Sequence, residues 1–248
     1  MGQHYKEKSG QQNPDKNPGK PPDTNHGYGG DMSIKGLNTK SHIQYKNSLG
    51  ENVVGVTTVI NVLDKPLLLN WVARITKEGH DWQRYRDAMG EAGSLTHLRI
   101  LHYLKGTEPD LSTYSPAIIK LSDNSLCSFY EWVKSHKLEP IALEVPWVSD
   151  RYNFGGTPDF VGLVNGRLEI LDFKTGGLFL SVVLQLAAYR QLAQEKGHKV
   201  EHCRALSIPR SEGESFREEL YTKFDDELNI FLNCLSIYTL LKKTGRRL

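Results

Sequence analysis

The chain has 248 residues, of which 38% are hydrophobic and 24% charged, and its net charge is only +2. This length suits one large domain, or one domain with an extension, that buries a sizeable core. The charge balance permits a nucleic-acid partner without indicating one. No apolar run reaches the roughly 18 residues that a membrane-spanning helix needs, so we expect no membrane association.

Residues 1–33 differ from the rest of the chain. They are rich in Gly, Pro, Asn, Gln and Lys and contain almost no aliphatic side chains, so we expect a disordered tail ahead of a single domain at 34–248. The tail has no apolar signal-peptide region, and it lacks arginine and carries as many acids as bases, which disfavours a mitochondrial transit peptide. A cytoplasmic or nucleoid location is therefore the expectation.

The first half of the ordered chain shows helical patterns after one short strand. Pro66 suits the start of a helix and Gly106 the end of one, while Gly90 and Gly93 leave open whether one helix or two lie between them. We expect residues 57–136 to form a helical cover. The predicted elements are a strand at Val53–Val56 and helices from Thr57 or Thr58 to Leu63, Pro66–Thr76, Asp81–Leu104 and Pro116–His136.

The second half, residues 141–248, changes to the alternation and β-branched content of strands. Helical patterns return around one further strand and at the end of the chain. The predicted fold class is α/β, with a mixed central β-sheet flanked by helices. The predicted strands are Ile141–Val148, Gly156–Val164, Arg167–Lys174, Val200–Ile208 and Phe216–Tyr221, and the predicted helices are Ser181–Lys196 and Asp225–Lys243.

The dipeptide Asn165-Gly166 predicts a two-residue hairpin turn. In that register the numbers of paired residues sum to 331, so Asp159 lies directly opposite Asp172. Because side chains alternate along a strand, Lys174 points to the same face. The hairpin therefore presents two carboxylates and an ammonium group at one end of an apolar face.

Two facing carboxylates are costly unless a positive charge lies between them. Mg²⁺ or Mn²⁺ prefers such oxygen ligands, and a metal-bound water becomes a competent nucleophile. Lys174 could help to deprotonate that water or stabilise charge on a phosphate, and the carbonyl of Phe173 could add a ligand. These groups suit phosphodiester hydrolysis. The spacing equally fits a surface hairpin with an Asp–Lys–Asp salt-bridge cluster.

Several motifs resemble the PD-(D/E)xK nucleases, in particular the RecB-type branch with its phage-encoded and mitochondrial genome-maintenance exonucleases. The resemblance covers about residues 53–240. Gly156-Thr157-Pro158-Asp159 and Asp172-Phe173-Lys174 match the signature, and Gly93-Ser94-Leu95-Thr96-His97 resembles the GxxxH segment. Gln185-Leu186-Ala187-Ala188-Tyr189 resembles QxxxY, and Glu144 matches an acid on the preceding strand.

The resemblance implies a restriction-endonuclease-like core and a metal-dependent DNA nuclease, with an exonuclease favoured. Asp159, Asp172 and Lys174 would be catalytic, and His97 would join the two acids as a metal ligand. Glu144 would bind a second metal or orient the ligands of the first.

The same resemblance places DNA contacts on the helix after the hairpin. Gln185 would orient active-site groups or the phosphate, Tyr189 would pack against a base or sugar, and Thr157 would also contact DNA. The chain has no Walker A motif, so any helicase activity would come from a partner, and a helicase or recombination protein is a candidate.

The cysteines separate this chain from relatives that carry an iron–sulfur cluster. Of the three cysteines, Cys127, Cys203 and Cys234, the last two are too few and misplaced for the carboxyl-terminal part of a four-cysteine staple, so we predict no cluster. They form no CxxC pair or zinc-ligand spacing, and free thiols in a reducing compartment are the simplest interpretation.

Other interpretations stay open at the level of sequence. His97 could be a hydrogen-bonded core residue, Glu144 an exposed strand acid, and Gln185 with Tyr189 a pair of polar contacts over the sheet. The whole chain could be a DNA-binding or assembly module without turnover, or a structure-specific endonuclease. A metalloprotease is poorly supported because there is no HExxH motif.

Overall fold

A computed structural model describes residues 43–63, 66–211 and 213–245. All of these lie in one compact unit, Asn38–Leu248. The predicted disordered tail at 1–33 lies outside the described residues. Within the described part of the chain, none of the helices combines the length and apolar character required to cross a membrane.

Four helices follow two short strands in the first part of the described chain, and two more helices lie among the later strands and after them. Asp81 caps the third helix with its side chain, and Gly106 ends that helix in the left-handed conformation that glycine adopts readily. The helices are α1 Val56–Ile60, α2 Pro66–Lys77, α3 Trp82–Lys105, α4 Pro116–Val133, α5 Leu180–Glu195 and α6 Asp225–Thr244.

The strands form two mixed sheets, one in the order β1-β2-β5-β4 and one in the order β3-β6-β7-β8-β9. In the second sheet the β7–β8 pair is parallel and the other pairs are antiparallel. The strands are β1 Tyr45–Lys46, β2 Asn52–Gly55, β3 Leu138–Leu143, β4 Trp147–Ser149, β5 Phe154–Gly156, β6 Phe160–Val164, β7 Arg167–Lys174, β8 His202–Ser207 and β9 Arg217–Tyr221.

The central strands of the five-stranded sheet, β6, β7 and β8, are buried on both faces. Val161 and Ile170 belong to a core with residues of α1, α5 and α6, whereas Phe160, Leu171 and Phe173 belong to a core with residues of α3 and α4. Burial of both faces fixes the register, because a slip by one residue would exchange the two sets of side chains.

The predicted α/β fold, with mixed sheet structure flanked by helices, is confirmed. So is the hairpin register: every pair from Val164–Arg167 to Phe160–Leu171 sums to 331. Asn165 and Gly166 both have positive φ, at 51° and 81°, as a two-residue turn of this type requires.

Two predicted strands were wrong in their continuity. Ile141–Val148 is divided into the end of β3 and the start of β4, and Gly156–Val164 into the end of β5 and β6. Pro146 and Pro158 lie at the breaks and have no N–H for a strand ladder, and Glu144 has φ 49°. Each break passes the chain from one sheet to the other, which is why there are two sheets and not the single one predicted.

Two details of the helices also differ from expectation or decide between alternatives. The predicted threonine cap of the first helix is wrong, because α1 begins at Val56 after Gly55 and has no side-chain cap. Gly90 and Gly93 do not break α3, which is continuous. The single-helix alternative is therefore the observed one.

Replacement of Gly162 by alanine should destabilise the protein. Its Cβ would lie 2.7 Å from Cζ of Phe160 and 3.0 Å from Cα of Pro140, and closer still to the carbonyl oxygen of Glu139. We expect a loss of about 2 kcal/mol or more in the free energy of unfolding, measured by urea denaturation.

Gly90→Ala is the matched control. Gly90 lies within α3 and nothing is within 4 Å of the added Cβ. It should stabilise by up to about 1 kcal/mol because alanine is the better helix former. Equal effects of the two replacements would contradict the close approach of β3 to β6.

Candidate active site

Four of the predicted residues converge beside the open end of the β6–β7 hairpin. His97 Nδ1 lies 3.5 Å from Asp159 Oδ1, and Lys174 Nζ lies 2.5 Å from Asp172 Oδ2. The backbone N–H of Phe173 donates a 2.9 Å hydrogen bond to Asp159 Oδ2. Asp159 is thus held by α3 on one side and by β7 on the other.

The position of His97 follows from the close approach of α3 to the end of β7. Gly93 lies one helical turn before His97, and a Cβ at Gly93 would come 2.6 Å from Thr175 Oγ1. Glycine therefore allows this part of α3 to lie against the chain that leaves β7. The His97 ring also packs edge-on against Phe173, with centroids 6.2 Å apart.

The two acids differ in their electrostatic surroundings. Burial alone would raise the pKa of Asp159, but His97, Lys174 and the Phe173 N–H together lower it to about 2. Burial raises the pKa of Asp172, and the negative charge of Asp159 raises it further against the opposing effect of Lys174. Asp172 is therefore the carboxylate whose charge depends most on a neighbouring cation.

Lys174 supplies that cation in this structure. Burial would lower the pKa of its ammonium group, but Asp172 and Asp159 outweigh this effect and the net pKa is raised. The side chain is 26% exposed, whereas that of Asp172 is 1% exposed. Lys174 is therefore the charged group of this cluster that reaches solvent most readily.

The chemistry of the donor set fits a hard divalent cation. Oxygens of two carboxylates and an imidazole nitrogen are ligands that such ions accept. Asp172 Oδ2 is buried and has an ion pair with Lys174 but no partner in hydrogen-bond geometry, so it retains capacity for a ligand. In residues 43–63, 66–211 and 213–245, however, no three His, Cys, Asp or Glu side chains gather closely enough to hold a metal as they stand.

A groove of about 670 Å³ leads to Asp159. Residues of β1, β2 and α1 form one wall, and Glu144, Thr157 and Tyr189 also line it. His97, Asp172 and Lys174 are not among its lining residues. Of the predicted catalytic residues, Asp159 is therefore the one that the groove exposes.

Glu144 and Thr157 lie beside this groove in different settings. The backbone N–H of Glu144 donates a 3.2 Å hydrogen bond to the carbonyl oxygen of Asp159, so Glu144 lies next to the segment that leads into β6. Thr157 Oγ1 lies 2.9 Å from the hydroxyl of Tyr45. The predicted ligand role of Glu144, the DNA contact of Thr157 and the metal contact of the Phe173 carbonyl stay predictions.

Gln185 and Tyr189 form a pair on α5, as their spacing predicts. Gln185 Nε2 donates a 2.8 Å hydrogen bond to the Tyr189 hydroxyl. Tyr189 is only 5% exposed, and its pKa is raised well above the usual value by burial and by the charges of Asp172 and Asp159. Its burial leaves little ring surface for a base to stack on, and the DNA contacts predicted for the pair stay predictions.

Tyr45 is one of the groove residues that sequence reasoning missed. It lies on a two-residue strand that shows no periodicity, so no pattern marked it. The signal that existed was indirect: Gly55 and Gly155 pair in the β2–β5 ladder, and both leave room for the Tyr45 ring.

The three cysteines are free thiols in two environments. Cys127 is exposed, whereas Cys203 and Cys234 are buried in the same core. Burial raises the pKa of both buried thiols. These positions do not test the expected absence of an iron–sulfur cluster, which stays a prediction.

We expect one thiol of the native protein to react quickly with a disulfide reagent and two to react only after unfolding. The reactive thiolate is scarce and shielded at Cys203 and Cys234. Thiol release followed by absorbance, with and without denaturant, measures this, and Cys127→Ser should remove the fast phase. A fast phase that survives in this variant would contradict the buried positions.

No protein-family model and no curated protein matches the chain. Among solved structures, SSO0001 aligns over 84% of this chain and 83% of its own, with a TM-score of 0.39 and 16% identity. LHK-Exo in complex with dAMP, an alkaline exonuclease from Laribacter hongkongensis, aligns over 78% of this chain and 93% of its own, at 0.38 and 14%. A candidate exonuclease from Eubacterium rectale aligns over 63% and 69%, at 0.42 and 12%. At these TM-scores the likeness carries no argument about activity.

Proposed function

We propose that this protein is a metal-dependent DNA nuclease that uses Mg²⁺ or Mn²⁺ and acts as an exonuclease on single-stranded or end-exposed DNA. The observation that supports it most is the meeting of His97, Asp159, Asp172 and Lys174 at one end of the hairpin. The PD-(D/E)xK-like motifs, which predicted that these residues share one site, support the same function. The choice of DNA and of exonucleolytic cleavage rests on that resemblance.

The residues present suggest how the site would work. Asp159, Asp172 and His97 would hold the cation, with the Phe173 carbonyl and Glu144 as further candidate ligands. A bound divalent cation would polarise the phosphate and make water a better nucleophile.

The chain itself supplies the positioning and the remaining charge. The Phe173 N–H holds one oxygen of Asp159 and so fixes the direction of the other. Lys174, the most exposed side chain among His97, Asp159, Asp172 and itself, would stabilise the negative charge that develops on the phosphate. Gln185 and Tyr189 would keep the adjoining face of α5 in place.

A second candidate function is a DNA-binding or assembly module without turnover. One observation favours it: Lys174 already neutralises Asp172 in this structure. Such an ion pair could stabilise a hairpin that no longer needs a metal.

A nuclease assay on end-labelled DNA distinguishes these functions. We expect degradation with Mg²⁺ or Mn²⁺ but not with EDTA. Activity should fall about a hundredfold or more in Asp172→Ala, which removes a proposed metal ligand, and in Lys174→Ala, which removes a positive charge proposed to act at the phosphate. Lys223→Ala and Asp226→Ala, at exposed positions, are the matched charge controls and should retain activity. Cleavage at the wild-type rate by both Asp172→Ala and Lys174→Ala would show that these residues are not the active site.

The same assay tests the exonuclease with a closed circular single strand and its linear form. An enzyme that needs an end should degrade the linear strand and leave the circle intact. Rapid cleavage of the circle would show an endonuclease with the same metal site. The products from 5′- and 3′-labelled linear strands would give the polarity.

A further inference from the structure

The Tyr45 side chain packs against two glycines on neighbouring strands. Gly55 and Gly155 are partners in the parallel β2–β5 ladder. A Cβ at Gly155 would lie within 2.5 Å of Cβ and Cδ1 of Tyr45, and a Cβ at Gly55 would lie 3.1 Å from its Cε2. The Tyr45 ring therefore lies against both strands, and a side chain at Gly155 would displace it.

The hydroxyl group of Tyr45 contacts the segment that precedes Asp159. Tyr45 OH and Thr157 Oγ1 are 2.9 Å apart, a hydrogen bond between residues 112 positions apart in sequence. Thr157 and Pro158 form the connection between β5 and β6, outside either strand. No sheet ladder holds Thr157 and Pro158, so the hydrogen bond to Tyr45 is one of the contacts that can fix the path of this connection.

A second tyrosine packs against the same segment at the next residue. A Cβ at Gly156 would lie 2.7 Å from Cε1 of Tyr189. Since successive residues of a strand face opposite ways, Tyr45 on Gly155 and Tyr189 on Gly156 hold the strand from its two faces. Both tyrosines line the groove that contains Asp159.

We propose that Tyr45 is a positioning residue for Asp159, acting through its hydrogen bond to Thr157 while its ring forms part of the wall of the groove. This inference rests on the proposed nuclease function. Residues that orient a metal ligand without touching the metal commonly change metal affinity or activity by about tenfold or more when they are removed. The test therefore measures both quantities.

The variants remove the hydroxyl groups and keep the shapes. Tyr45→Phe removes the hydroxyl group but keeps the ring against Gly55 and Gly155. Thr157→Val replaces the hydroxyl by a methyl group, and the double variant combines the two changes. Thr157→Ser restores a hydroxyl at the same carbon. Tyr103→Phe, on the separate α3–α4 surface, is the control for loss of a tyrosine hydroxyl.

Each variant is characterised by kcat and KM on a linear single strand, by Mn²⁺ affinity from the resonance signal of free Mn²⁺, and by Tm. We expect Tyr45→Phe and Thr157→Val each to lower kcat and Mn²⁺ affinity by about tenfold with KM nearly unchanged. The double variant should be no worse than either one, because both break a single interaction. Thr157→Ser should recover the kcat and Mn²⁺ affinity that Thr157→Val loses, because it restores the hydroxyl that bonds to Tyr45. Tyr103→Phe should behave like the wild type.

Two results would overturn the inference. One is a Tyr45→Phe variant that retains kcat and Mn²⁺ affinity, even if its Tm falls, since the hydroxyl would then be merely structural. The other is additive losses in the double variant, which would mean that Thr157 acts on DNA independently of Tyr45.

Failure of the proposed nuclease function would be visible separately. If the folded wild type binds Mn²⁺ but does not cleave DNA, the proposed nuclease function is wrong. The Mn²⁺ titration alone then decides the role of Tyr45. Weaker binding in both single variants would support that role, and equal binding would overturn it. A wild type that neither cleaves nor binds Mn²⁺ would overturn both.

Discussion

Two carboxylates held close together at the edge of an apolar core are the constraint on which this structure depends. The side chain of Asp172 is 1% exposed, and the negative charge of Asp159 is near enough to raise the pKa of Asp172. The repulsion of two such groups must be offset by positive charge or by loss of ionisation. Lys174 supplies positive charge from the hairpin itself, 2.5 Å from Asp172 Oδ2, and the His97 ring of α3 lies 3.5 Å from Asp159 Oδ1.

The architecture keeps those compensating groups in place. The hairpin is packed on both faces, with α5 on one side and α3 and α4 on the other. A bare glycine lets α3 approach the end of β7 so that His97 can reach Asp159. The positions of the charges are therefore consequences of burial and packing on elements that lie far apart in the sequence.

The local parts of this arrangement could be predicted from the sequence. The Asn165-Gly166 turn fixed the register of the hairpin from Val164–Arg167 to Phe160–Leu171. Extending that register by one residue predicts Asp159 opposite Asp172 without any knowledge of the rest of the fold, although the observed ladder ends before this pair. The breaks at Pro146 and Pro158 could not be placed in the same way, because alternation looks the same whether a strand continues in one sheet or passes to another. The position of Tyr45 depended on a contact across 112 residues, which no local pattern encodes.

The two strands predicted as continuous are broken where the chain leaves one sheet for the other, and Asp159 lies at one of those places. A residue inside a strand is positioned by the ladder on both sides. Asp159 precedes β6, so its position depends on single contacts: the Phe173 N–H, His97, and the backbone N–H of Glu144 at the other crossing. A carboxylate held in this way can be aimed independently of the sheet, but each contact that holds it becomes a place where a distant substitution can alter the site.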